Sequence, residues 1–199
     1  MTEKRNIDWV ILDAMGVIYR KGDDVSDIMI PFLRRRGCEL PEDHIIREFD
    51  RCSLGDISSE AMWRNCGLED IDAVDLEYTF YYALNPGLMQ ALAAFRAANI
   101  RVACLSNGPG EWSRLLRRRF GLEQWIEKWV ISGDVRKEKP DPAIYQIVLR
   151  ETGAAPERCL FADDNPRNLP VAEKMGFRTF LFRGQDPATM FAKVVELAR

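Results

Sequence analysis

Five short runs at 9–13, 101–106, 129–132, 159–162 and 178–182 are rich in apolar, β-branched and aromatic residues. They alternate with stretches of helical pattern near 86–98, 111–119, 141–152, 166–175 and 187–198. Alternation of this kind predicts an α/β fold, a parallel sheet with helices on both faces. Between residues 22 and 84 the texture changes, and only helices are expected there. Ile28, Ile30, Phe32 and Leu33 fit a first helix ending near Gly37. Pro41 opens a second through Ile45, Ile46 and Phe49, Ala61 to Cys66 suggests a third, and Leu76 to Leu84 a fourth. The simplest organisation is a core made of residues 1–21 and 85–199, with a helical module of residues 22–84 inserted after the first strand. Asn85-Pro86-Gly87 supplies a return hinge.

Composition narrows the partners. With 199 residues, 47% of them hydrophobic, the chain can bury a substantial core. A formal net charge of -3 gives no global basic field for nucleic acid. Arg34-Arg35-Arg36 and Arg117-Arg118-Arg119 fall in expected helices, where consecutive residues point different ways, and read as surface charge. No apolar run approaches the roughly 20 residues a membrane helix needs. The charged start Met1-Thr2-Glu3-Lys4-Arg5-Asn6 lacks a secretory apolar region, so a cytoplasmic location is expected. The five cysteines form no CxxC pair and are expected to be reduced thiols. Cys38, Cys52 and Cys66 recur every 14 residues, but Gly37, Pro41, Gly55 and Gly67 interrupt any shared helix, so no metal site is expected there.

Four short segments fall where expected strands end, which is where open α/β sheets build their sites. They are Asp13 with Met15-Gly16-Val17, Leu105-Ser106-Asn107-Gly108, Lys137 to Pro142, and Phe161-Ala162-Asp163-Asp164-Asn165 with Asn168 beyond. Together they supply what phosphoryl transfer needs. A carboxylate can attack phosphorus, a hydroxyl and backbone amides can hold its oxygens, and Lys139 can neutralise charge. Three converging carboxylates would repel one another unless a cation sat among them, so the acidic cluster predicts magnesium.

The order Asp13, Ser106, Lys139, Asp163-Asp164 resembles the four motifs of the haloacid dehalogenase-like superfamily. The stretch from Gly133 to Tyr145 is especially similar to the third of them. The resemblance covers essentially the whole chain and implies a Rossmann-like core with an inserted helical cap at 22–84. It implies that Asp13 is the nucleophile and a magnesium ligand. It further implies that Ser106 and Asn107 bind the phosphoryl group and that Lys139 bridges it to the nucleophile. Asp164, Asp163 and the backbone carbonyl of Met15 would complete the metal site. The substrate class implied is a small phosphorylated metabolite.

Met15 departs from the family pattern. In the family's phosphatases that position is an aspartate that protonates the leaving group and then activates water, and methionine can do neither. Three readings follow: a phosphatase that borrows a proton donor from the cap or the substrate, a 2-haloacid dehalogenase, or a catalytically impaired phospho-ligand binder. The dehalogenase branch lacks the second aspartate and often reads Leu-Ser-Asn-Gly at the second motif, as here. It needs no metal, however, and usually carries a Ser- or Asn-containing fourth motif. A phosphonate-cleaving relative is disfavoured, because its cap lysine has no counterpart in residues 22–84. Transfer to an acceptor other than water stays open. Candidate donors in the cap are His44, Glu42, Asp43, Glu48 and Asp50, and Arg47, Arg51 and Arg64 could meet an anionic substrate. Tyr78, Phe80, Tyr81 and Tyr82 read first as cap core, and Trp112 as helix-start packing beside the site.

Overall fold

Strands buried on both faces must be apolar on both, and the strand segments meet that requirement. In the computed structural model, which describes residues 7–20, 22–71, 73–184 and 186–199, five strands form one sheet. They are β1 (Trp9–Leu12), β2 (Arg101–Ser106), β3 (Lys128–Ile131), β4 (Cys159–Asp163) and β5 (Arg178–Leu181). All neighbours are parallel, in the order β3-β2-β1-β4-β5. Alternate residues of β1 divide between two cores. Trp9 and Ile11 pack with Ala103, Leu105 and Phe161, while Val10 and Leu12 pack with Val102, Cys104 and Leu160 on the other side.

Helices cover both faces. α8 (Pro142–Thr152) and α9 (Leu169–Lys174) bury Ile144, Tyr145, Val148 and Ala172 against the first core. α5 (Leu88–Ala97), α6 (Gly110–Arg119) and α10 (Pro187–Ala198) bury Phe95, Trp112 and Phe191 against the second. A single-turn helix, α7 (Ser132–Val135), follows β3 directly and ends that strand one residue earlier than its sequence predicts. The α/β reading therefore holds, with element ends shifted by one to three residues.

Among the described residues between β1 and α5 there are helices and two isolated bridges, and no strand. A π-helical stretch, Val25–Met29, runs into α1 (Ile30–Arg35), followed by α2 (Glu42–Ser53), α3 (Ser59–Asn65) and α4 (Val74–Thr79). α4 starts earlier and stops sooner than the expected 76–84 helix. Its continuation carries Phe80 and Tyr81 to the surface while Tyr82 turns inward. Asn85 does the returning that its sequence suggests: its amide donates to the carbonyls of Gly16, Val17 and Tyr19 at 2.9, 2.8 and 3.2 Å. The charged residues 1–6, on which the targeting expectation rests, lie outside the described residues. No helix among the described residues is long and apolar enough to cross a membrane. All five cysteines are free and buried.

Candidate active site

Register puts the first carboxylate in place. Leu12 pairs with Cys104 on one side and Ala162 on the other, so the next residue, Asp13, emerges beside Asp163. The Asp13 N–H still donates to the Ala162 carbonyl at 2.9 Å, holding the two chain ends in step. Ser106 closes β2 and is buried next to them.

Lys139 arrives from the loop before α8 and is nearly sealed from solvent. Its Nζ lies 2.7 Å from Asp13 Oδ1 and 2.7 Å from Asp163 Oδ2. Asn107 fixes the lysine's backbone in both directions, donating to the Lys139 carbonyl at 2.9 Å and accepting from its N–H at 2.8 Å. Asp163 is fully buried and heavily used: Oδ2 also accepts from Asn168 at 2.9 Å, and Oδ1 accepts from the Asn165 N–H at 2.8 Å. Asp164 is half-buried and packs against the turn after β1. A Cβ on Gly16 would sit 2.1 Å from Asp164 Oδ2, and the backbone there has φ +72°, so both space and conformation require glycine.

Oxygens of Asp13, Asp163 and Asp164 lie within 4.8 Å of one another. Burial, and then the Asp163 charge, push the Asp13 carboxyl upward against the pull of Lys139. Burial likewise pushes Asp164 up to about 6. Lys139 loses solvation yet is held above its ordinary value, because Asp13 and Asp163 both favour its charge. One ammonium against three carboxylates leaves two negative charges uncompensated, the charge of one divalent cation. Hard oxygen donors on a partly accessible rim suit magnesium.

One cavity opens on this cluster and a second adjoins it. The first is lined by Asp13, Lys139, Asp164, Asn168, Phe49 and Arg183, among others. Its neighbour is walled by Ala14, Tyr19, Tyr82, Ser106, Gly108 and Trp112. Met15, Asp24 and Asn107 line both. The Tyr19 hydroxyl is buried without a hydrogen-bond partner among the described residues.

The sequence candidates in the helical segment lie elsewhere. His44 Nε2 meets the Asn65 carbonyl at 3.0 Å, Glu48 binds Arg51 and Asn65, Asp43 pairs with Arg47, and Glu60 pairs with Arg64. None of these, nor Glu42 or Asp50, lines either cavity. Trp112 has two roles: it walls the second cavity and stacks on Trp63 and Tyr78 at centroid distances of 5.2 and 4.6 Å. Sequence reasoning passed over Asp24. It accepts from Tyr78 at 2.8 Å and from Tyr82, partners 54 and 58 residues away, so no local pattern marks it.

Comparison with known proteins identifies the family and the fold. A sequence model of the haloacid dehalogenase-like hydrolases matches residues 7–176. The chain is 26% identical over 193 residues to flavin mononucleotide hydrolase 1 of Arabidopsis thaliana, covering 94% of this chain and 76% of that one. It is 30% identical over 192 residues to (S)-2-haloacid dehalogenase 4A of Burkholderia cepacia, covering 92% and 83%. A haloacid dehalogenase family enzyme of Bacteroides thetaiotaomicron, solved with magnesium and inorganic phosphate, superposes with a TM-score of 0.71. It is 18% identical and covers 91% of this chain and 96% of that one, a likeness of fold.

Proposed function

The chain belongs to the haloacid dehalogenase-like hydrolases, and from that premise we propose that it hydrolyses a small phosphate ester through a phospho-Asp13 intermediate, with magnesium. The observation that carries this reading is the Asp13, Asp163, Asp164 cluster with Lys139 as its one buried cation. A halide leaving group would need no such surplus of carboxylate. The curated relatives with phosphatase and hydrolase names support the ester reading.

Asp13 is the nucleophile: it stands at the end of β1, lines the cavity beside Lys139, and is less tied by hydrogen bonds than Asp163. Lys139 binds the phosphoryl oxygens and favours the ionised form of Asp13 against its burial. Ser106 contributes its hydroxyl to the phosphoryl group. Asn107 contributes through its backbone, since its amide is engaged with Lys139. Asp13, Asp164 and the Met15 carbonyl would hold magnesium, with Asp163 beside them fixing Lys139. Bound there, the ion would neutralise carboxylate and phosphoryl charge as phosphorus is attacked. The helices of residues 22–84 act as the cap, and Asp23, Asp24 and Phe49 bring that segment into the cavity wall.

The relative from Burkholderia cepacia keeps a second reading in play, displacement of halide from a 2-halo acid by the same Asp13. Hydrolysis of an aryl phosphate by wild type and Asp13→Asn, with magnesium and with chelator, decides between them. Magnesium-dependent phosphate release that vanishes in Asp13→Asn is expected. Halide release that survives chelator would replace this reading with the second.

A further inference from the structure

Phospho-aspartate chemistry needs a group to protonate the leaving oxygen and then to deprotonate water, and Met15 can be neither. The cluster around Lys139 offers no spare proton carrier: Asp13 is the nucleophile, and Asp163 is tied to Lys139, Asn168 and the Asn165 N–H. Besides Asp13 and Asp164, two carboxyls line the cavity there, and one of them, Asp23, is turned to its own helix start, accepting from the Val25 and Ser26 N–H groups and the Ser26 hydroxyl at 3.0 Å each. Asp24 stands at the entry to the cap, and with Met15 and Asn107 it lines both cavities, the one holding Asp13 and Lys139 and the one holding Ser106. Its environment is built. Tyr78 and Tyr82 are buried, lie with ring centroids 5.5 Å apart, and direct both hydroxyls to the same oxygen, Oδ1. Oδ2 accepts no hydrogen bond from the described residues, so the carboxyl is held through one oxygen.

The geometry points to Asp24 as the general acid and base of this site, standing in for the aspartate that Met15 replaces. The inference rests on the phosphatase reading. In the first half-reaction Asp13 Oδ forms a bond to phosphorus as the ester P–O bond breaks, and the Asp24 carboxyl gives its proton to the departing oxygen. In the second, the Asp24 carboxylate takes a proton from water as that water bonds to phosphorus and the P–O bond to Asp13 breaks. Alcohol and phosphate leave, and Asp24 is again protonated.

Asp24 suits both halves. Burial pushes its carboxyl up to about 6, against the two tyrosine hydroxyls that favour the charged form. The other ionisable groups facing it among the described residues are its neighbour Asp23 and the Tyr19 hydroxyl.

The test is hydrolysis of phenyl phosphate and p-nitrophenyl phosphate, with magnesium, by wild type, Asp24→Asn and Asp24→Asn/Met15→Asp. Phenolate is the poorer leaving group and needs the proton. Asp24→Asn should lose on the order of 10²–10⁴-fold on phenyl phosphate, and less on p-nitrophenyl phosphate. Rapid quenching should show phospho-Asp13 accumulating in that variant. Restoring a carboxyl at position 15 should return at least tenfold. Tyr82→Phe keeps the carboxyl but removes a donor, so the alkaline limb for phenyl phosphate should move to higher pH. Wild-type rates in Asp24→Asn, or equal losses on both esters without phospho-Asp13 accumulation, would overturn the role of Asp24 alone. A wild type that hydrolyses neither ester would overturn it together with the phosphatase reading.

Discussion

Lys139 is ringed by more negative charge than it can neutralise, and most of the site's behaviour follows from that imbalance. A buried ion pair broken on one side leaves an uncompensated charge, typically costing about 3–5 kcal/mol. Lys139→Met should therefore destabilise the metal-free protein by that order in denaturant unfolding. A loss under ~1 kcal/mol would mean the carboxylates are solvated in a way their burial contradicts. Asp24 makes a second prediction. Its pKa is raised in the folded state, so folding favours its protonated form, and the stability this provides is lost as pH rises from about 4 to about 6. Without metal, the unfolding free energy of wild type relative to Asp24→Asn should fall between pH 4 and pH 6, by on the order of 1–2 kcal/mol. A constant difference would show that Asp24 does not titrate there. Residues differ in how far a sequence reveals them. Asp13, Ser106, Lys139 and Asp163-Asp164 were legible because each follows an apolar strand. Asp24 was not, because it sits in a polar turn beside Gly22 and Asp23 and owes its environment to tyrosines far along the chain.

Elements place these residues, and their ends carry the precision. The turn from β1 works only with glycine at position 16, where φ is +72° and Asp164 occupies the space a methyl group would take. Gly16→Ala should cost on the order of 1–3 kcal/mol in backbone strain and displace Asp164. Thermal shift with magnesium should then be lost, while a shift equal to wild type would contradict the packing. Asp75 of α4 ties the helical segment to α6. Its carboxylate accepts from Trp63 and Trp112 at 2.6 and 2.7 Å, and from Ser59 at 2.6 Å. Asp75→Ala leaves those donors without an acceptor, each unsatisfied buried group costing about 1–3 kcal/mol. Asp75→Asn, which still accepts from the indoles, should cost less, and equal losses in chemical denaturation would contradict that account. The five strands and most core helices show in the sequence because strand and helix periods differ. α7 does not, since Ser132-Gly133-Asp134-Val135 is a single turn with no period to read. Tyr78 to Tyr82 is nearly all aromatic, and such a run does not disclose where α4 stops.

At the scale of the molecule, two cores sandwich one parallel sheet, and the helical segment rests on the ends of its strands. This segment shares one apolar core with α6 and a face of the sheet, and polar contacts add to it. The Ser132 hydroxyl donates to the Ser53 carbonyl at 2.6 Å, and Arg119 reaches the Thr79 carbonyl. The change of texture at residues 22–84 showed in the sequence that this segment is helical. It could not show that the aromatic residues of the segment pack on Trp112 of α6, because that packing joins distant segments.

Attack of Asp13 on phosphorus, with magnesium, is open to a single comparison. Phosphate release from p-nitrophenyl phosphate would be followed for wild type and Asp13→Asn, with magnesium and with chelator, beside halide release from 2-chloropropionate. The account predicts phosphate release by wild type with magnesium only, none by Asp13→Asn, and no halide release. Halide release undiminished by chelator, with no phosphate release under any condition, would contradict it.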